Sequence, residues 1–355
     1  MTAAALPPLR AGAPRAPAWV RRLGLLAAAG ALGALGVLRP AVAQTVPEGL
    51  ASEGEARAWL WRIHQAQRSS NFQGTLVFSA DGALATSRVL HYVVGSQVVE
   101  QVESLDGRHQ RIVRHNDLVH TLLPGRRTAI VEKRETLAAW SATPQMVDPQ
   151  ALEQYALHRE GLARVAGRDA VVLRMDPRDA LRYAQRLWAD LASGLMLRAD
   201  MLDAGPDRAL LESTSFTEVE IGVRPQPEAV LKHLRQLDGW RVVRPQQQRT
   251  TLEDEGWALA RPVPGFRLAG CVRRGMENAG EADASVLQAV FTDGLTHVSL
   301  FVEPFDEQRH RREMQARQGA TSTVMQRRGQ HWITAVGNVP AATLKQLAES
   351  LERRR

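Results

Sequence analysis

The chain has 355 residues, of which 44% are hydrophobic and 23% charged, with a single cysteine and a formal net charge of +7. One thiol excludes an intramolecular disulfide, so each domain has to be held by core burial alone. Residues 1–43 contain five arginines and no acid, which leaves 7 − 5 = +2 for the remainder and removes the electrostatic footing for bulk nucleic-acid binding.

In chain order, Arg10, Arg15, Arg21 and Arg22 precede an Ala/Leu/Gly run from Leu23 to Leu38, then Arg39, Pro40 and Ala41-Val42-Ala43. This order predicts a secretory signal cleaved after Ala43. The run is shorter than the roughly 20 apolar residues of a membrane span and is interrupted by glycines. No cysteine follows the cleavage site, so the exported chain is expected to be soluble and without an N-terminal lipid. Gly24, directly after the Arg21-Arg22-Leu23 start, favours the general export route over the twin-arginine one.

A helix is expected over Glu55–Gln67, where Trp59, Leu60, Ile63 and Ala66 recur at helical spacing. Turn signals at Asp81-Gly82, Gly95-Ser96, Asp106-Gly107, Asn116-Asp117 and Pro124-Gly125 then divide Val/Leu/Ile-rich segments, predicting an antiparallel meander to about Lys133. Its first hairpin places Phe72, Leu76 and Phe78 on one face and Thr75, Val77 and Ser79 on the other. Apolar groups on both faces call for something to cover each. The stretch Glu135–Arg159 reads as a loop with a short helical pattern over Leu152, Tyr155 and Ala156. Strands are expected at Leu162–Ala166, Ala170–Met175, Arg182–Trp188, Leu195–Leu202 and Ala209–Val219. Prolines at 225 and 227 mark a linker over 223–227. Beyond it a helix over Glu228–Leu237 leads to strands at Gly265–Val272, Val286–Thr292, Leu295–Val302, Thr321–Gln326 and His331–Val336. Pro340 opens a final helix lined by Leu344, Leu347 and Leu351.

Catalytic signatures are absent: no G-x-S-x-G, H-E-x-x-H, Gly-rich phosphate loop or C-x-x-C occurs. His109, His115 and His120 lack a carboxylate at ligand spacing, so neither a metal nor a cofactor is expected. Arg111, Arg114, Arg126, Arg127, Lys133 and Arg134 make the far end of the meander basic, as a solvated face or as a phosphate-binding rim around an apolar pocket. Arg309-His310-Arg311-Arg312 forms a second basic run, solvated or turned to an acidic partner.

Residues spread over the exported chain carry a resemblance: Asn71-Phe72-Gln73-Gly74-Thr75, Glu103-Ser104-Leu105-Asp106-Gly107, Arg182-Tyr183, Leu187-Trp188-Ala189-Asp190, Gly194-Leu195-Met196-Leu197-Arg198, Asp293-Gly294-Leu295 and Thr334 to Thr343. In that order, behind an export signal, they resemble the MucB/RseB family of periplasmic regulators of an envelope-stress sigma factor. The sequence departs from the family at Arg108, where proline is common, and at Asn338, where an acid is common. The resemblance implies an α+β protein. Residues 44–222 would form an unclosed antiparallel β-barrel wrapped on helices, similar to lipoprotein carriers, and 228–355 a smaller mixed domain. It further implies a periplasmic protein that binds the periplasmic domain of a membrane-spanning anti-sigma factor and shields it from regulated cleavage, with an acyl lipid or lipopolysaccharide fragment releasing it. On this reading Phe72, Leu76, Phe78, Leu90, Tyr92 and Trp188 border an acyl-chain cavity rimmed by Arg111, Arg114 and Arg126. Arg309, Arg311, Arg312, Arg327 and Arg328 meet the partner, and a homo-oligomer stays open. The alternative is a periplasmic lipid or lipoprotein carrier, which would need only the chain up to about Ile221. An enzyme ranks third, for want of a nucleophile, base and oxyanion set.

Overall fold

The computed structural model describes residues 53–133, 152–205, 207–275 and 285–354. The export segment 1–43 and most of the 135–159 loop lie outside the described residues. Helix α1 (Glu53–Ser69) carries Glu53 and Glu55 in its first turn and Arg68 in its last, complementing its dipole, and it buries Ala56, Leu60 and Ile63. The expected meander follows as β1 (Phe72–Ala80), β2 (Ala83–Val94), β3 (Gln97–Ser104), β4 (Arg111–His115), β5 (Leu118–Leu123) and β6 (Thr128–Lys133). Asp81 (φ 49°) and Gly82 (φ 76°) both take left-handed conformations, as a two-residue hairpin turn requires.

A second meander comprises β7 (Tyr155–Val165), β8 (Arg168–Pro177), β9 (Ala184–Asp190), β10 (Met196–Leu202) and β11 (Leu210–Ile221). Strand β11 returns to pair antiparallel with β1 and joins the two halves. With β12 (Arg241–Val243) added parallel to β6, the order across twelve strands is β12-β6-β5-β4-β3-β2-β1-β11-β10-β9-β8-β7. Of the helical pattern expected over Leu152, Tyr155 and Ala156, Leu152 is helical, whereas Tyr155 and Ala156 are the start of β7. Tyr155 is fully buried there, and that tertiary burial overrides a weak local periodicity.

This sheet curls. Cα atoms of β7 and β11 come within 8 Å of one another across three intervening strands. On β8, Val171, Leu173 and Met175 face α1, whereas Ala170 and Val172 face the opposite way. A helix is about 10 Å across, so α1 cannot lie between strands that close, and the sheet must curl toward the face of Ala170 and Val172. That inner face carries Val89, Leu197, Trp188 and Phe216, with Phe72 and Leu76 packed against them. The sheet is therefore an unclosed curl with α1 outside it. Helix α2 (Pro227–Arg235) covers Tyr92, Val99 and Val113 with Val230 and Leu231.

Chain 223–243 thus stays with the first sheet, and the crossing to the second falls between Val243 and Gln247. The second sheet runs β13 (Gln247–Arg249), β15 (Arg267–Gly275), β16 (Ser285–Thr292), β17 (His297–Pro304), β20 (His331–Gly337), β19 (Thr321–Arg328) and β18 (Met314–Gln318). Helix α3 (Ala341–Ser350) lays Leu344 and Leu347 on one face of it, over Leu300, Ile333 and Ala335. Strands β14 (Trp257–Leu259) and β21 (Leu351–Arg353) pair separately. Beside twenty-one strands the described residues hold three α-helices of nine residues or more, so the protein is mostly β. No helix among the described residues is long and apolar enough to cross a membrane.

Candidate functional site

The strands divide the expected cavity residues between two faces. Phe72 stacks on His91, with ring centroids 5.1 Å apart, and meets Phe216 edge-on at 6.0 Å. Leu76 and Trp188 lie on the same inner face, where the Arg198 guanidinium sits 4.5 Å from the Trp188 ring. Because Phe72 is paired with His91, the residues flanking His91 point the other way: Leu90 and Tyr92 face α2, and the Tyr92 hydroxyl donates to Gln73 Oε1 at 3.4 Å. Phe78 follows Leu76 on its face but lies beyond the packed stripe and is 39% exposed.

The expected basic rim is neutralised within the sheet. Arg111 lies opposite Glu103 and bonds it at 2.7 Å, and Arg114 lies opposite Glu100 at 3.3 Å. Burial would raise the Glu103 carboxyl, but hydrogen bonds from Arg111 and His109 outweigh it and hold the group below its usual range. Arg126 sits apart, in the 3-10 turn Pro124–Arg126. The acids at 100 and 103 were visible in the sequence, but their pairing needs the β3–β4 register.

A buried polar cluster joins the two sheets. Fully buried Arg182, on the β8–β9 connection, donates from Nε to Asp293 Oδ2 at 2.7 Å and from Nη2 to the Pro264 carbonyl at 2.7 Å, and it also pairs with Asp179. Its guanidinium lies 4.8 Å from the Phe266 ring. Asp293 Oδ2 also accepts from the Tyr155 hydroxyl (3.2 Å), and Oδ1 accepts from the backbone N–H groups of Leu295 (2.9 Å) and Thr296 (2.7 Å). Burial, reinforced by Asp293, holds the Tyr155 hydroxyl well above its ordinary range, so it remains a donor. Arg182 and Asp293 both lie in segments that carry the resemblance, but no sequence pattern pairs residues 111 positions apart.

A second junction is made by the tip of the β18–β19 hairpin. The Gly319 N–H donates to Asp81 Oδ2 at 2.6 Å, and the Ala320 N–H to Glu212 Oε2 at 3.3 Å. Asn338 Nδ2 donates to Glu212 Oε1 at 3.3 Å while its Oδ1 accepts from Thr321. An acid at 338 would face Glu212 with like charge, so the departure at Asn338 suits this contact. A Cβ on Gly319 would lie 2.8 Å from the Ala80 Cβ, at φ +57°. Gly319→Ala is therefore expected to cost about 1–3 kcal/mol through strain and overpacking, read as a lowered urea midpoint. An unchanged midpoint would mean the tip is not seated as described.

Burial pushes the Glu212 carboxyl above the ordinary carboxylate range, opposed in part by the Ala320 N–H. A carboxyl raised on folding contributes stability that is complete below its unfolded value of 4.5 and is lost as pH rises through its folded value. Relative to wild type, Glu212→Gln should gain stability from pH 4.5 into the neutral range. Parallel urea profiles for the two proteins across that range would refute this.

On the second sheet, His310 accepts from the Asp306 N–H at Nδ1 (2.9 Å), stacks on Trp332 (4.8 Å) and sets Nε2 3.4 Å from Glu303, pinning the basic loop. Arg309 pairs with Glu303 at 3.1 Å. Arg327 lies 3.9 Å from the Phe305 ring, and Arg328 donates to the Glu349 carbonyl at 2.6 Å. Arg311 and Arg312 are exposed. Burial, with Glu253 nearby, pushes the Cys271 thiol up to about 11, so it carries no thiolate at neutral pH.

The MucB/RseB N-terminal domain model matches residues 55–253, and the MucB/RseB C-terminal domain model matches 251–352. The sigma factor AlgU regulatory protein MucB of Pseudomonas aeruginosa is 30% identical over 306 residues, covering 84% of this chain and 90% of its own length. The sigma-E factor regulatory protein RseB of Haemophilus influenzae is 24% identical over 304 residues, covering 86% and 93%. The solved complex of Pseudomonas aeruginosa MucA and MucB superposes with a TM-score of 0.65 at 28% identity, over 85% of this chain and 99% of that one. A second structure, MucB bound to MucA(peri), gives 0.62 at 29% identity over 84% and 99%.

Proposed function

The chain belongs to the MucB/RseB family, and from that premise we propose that it is a periplasmic sigma-factor regulator that binds the periplasmic domain of a membrane-spanning anti-sigma factor and shields it from regulated proteolysis. The observation that carries this reading is the match to a MucB solved together with MucA over 99% of that chain's length. Both sheets take part in the match, whereas a simple carrier would have no use for the second. Under this reading the export signal ends at Ala43, the first sheet with its covering helix α2 and strand β12, through Val243, forms the lipid-binding domain, and the second sheet from Gln247 onward forms the partner-binding domain, so the boundary lies beyond the 223–227 linker expected from the prolines.

Lipid sensing belongs to the same proposal. The inner stripe of Phe72, Leu76, Phe216 and Trp188 supplies apolar surface, and Phe78 marks its less covered end. Each methylene removed from water contributes about 0.8 kcal/mol, so inserting an acyl chain gains enough to bias a two-state regulator if one state admits it better. Binding of the purified chain to the periplasmic domain of its anti-sigma factor tests the first part. Protection of that domain from its initiating protease is the expected companion result. No binding at micromolar concentration would refute the regulator reading. Release of the complex by lipopolysaccharide fragments tests the second part, and a complex indifferent to them would leave a regulator without a lipid sensor.

A further inference from the structure

We propose that β18 is an open pairing edge to which an extended, acid-rich segment of the anti-sigma factor's periplasmic domain adds as a further strand. This rests on the partner-binding reading above and locates its recognition element. The two larger sheets have four edges between them. Strands β12 and β13 are three residues each, and β7 turns in toward β11. Strand β18 differs: all five of its residues are exposed, it contains no proline, and its pairing with β19 runs Met314↔Met325 to Gln318↔Thr321 without a bulge. Soluble proteins blunt such edges with prolines, bulges or a covering element, since a free row of N–H and C=O groups is a template for another strand. An edge left open in this way fits use in strand addition.

Charge names the occupant. Residues 309–318 hold four arginines and one glutamate. Arg309 is held by Glu303, while among the described residues Arg311, Arg312 and Arg317 are exposed and make no ion pair. Free guanidinium groups beside a free backbone edge match a peptide that offers both carboxylates and its own N–H and C=O groups. A lipid headgroup would satisfy the arginines but not the edge. The hairpin is also preorganised, because its tip is tied to Asp81 and Glu212 of the first sheet, which reduces the ordering cost of adding a strand.

Amide hydrogen exchange on the purified full chain, with and without the periplasmic domain of its anti-sigma factor, tests the proposal. Residues 314–318 should gain protection in the complex. The triple variant Arg311→Glu, Arg312→Glu, Arg317→Glu should bind about tenfold or more weakly, with a flatter salt dependence. Consecutive N–H groups of a strand point to opposite sides, so Gln315→Pro and Ala316→Pro are made separately. The one that removes the outward N–H should keep the fold and lose the partner. If the wild type binds but residues 314–318 gain no protection, the edge proposal fails while the regulator reading stands, even if the arginine variant binds weakly. Protection of the same amides by phosphatidylglycerol vesicles in place of the partner would also overturn it. Absence of any binding by the wild type strikes at the regulator reading instead.

Discussion

Arg182→Met is expected to cost about 3–5 kcal/mol of stability, because it removes one partner of a buried ion pair and leaves the other charge stranded. The side chains of Arg182 and Asp293 are both wholly inaccessible to water. Without the guanidinium, Asp293 retains the Tyr155 hydroxyl and its turn N–H groups but loses its counter-charge, and the Pro264 carbonyl loses its donor. Since Arg182 belongs to the first sheet and Asp293 to the β16–β17 turn of the second, the loss should appear as weakened coupling between the sheets. Urea unfolding followed by tryptophan fluorescence is expected to change from one transition to two. A single transition displaced by less than about 1 kcal/mol, the range of an exposed pair, would mean that the cluster does not hold the sheets together.

Trp188→Ala is the second large effect, expected at about 3–5 kcal/mol, as for other buried aromatic truncations. Trp188 is 8% exposed, clustered with Val172, Leu197 and Phe216 and flanked by Arg198. The magnitude decides what the inner face is at rest. A cost in that range, read from the urea midpoint, means a closed, packed interior that an acyl chain must open. A cost near 1 kcal/mol would mean that the ring already borders open space, because little packing would then be lost. Adding lipid during the measurement separates the cases further, since a ligand bound only by the folded state raises the midpoint with its concentration.

Much of the fold was legible before any coordinates. Asp81-Gly82 announced a hairpin because only residues tolerant of positive φ turn so tightly, and the alternation from Phe72 to Phe78 assigned faces correctly within its own strand. The same alternation could not say that Leu90 and Tyr92 lie behind Phe72 rather than beside it, because that depends on which residues of β1 and β2 are opposed. Strand β18, exposed at all five positions, has no buried face and so left no periodic trace. Nor did the short β12 and β13, whose assignments follow from neighbours rather than from their own composition.

The sequence by itself determined the two successive meanders, most turn positions, the amphipathic first and last helices and membership of the family. The first three rest on local backbone preference or on side-chain period, which a single chain displays directly, and the last on the ordered residue segments that carry the resemblance. Tertiary structure alone decided the pairing of Arg111 and Arg114 with acids on β3, the inward curl that closes over Trp188, and the junctions through Arg182 and Gly319. The Arg182–Asp293 contact spans 111 positions and Asp81–Gly319 spans 238. Contacts at that separation form only after strand register and sheet curvature have brought distant segments together, and no local pattern of residues encodes which partner each will meet.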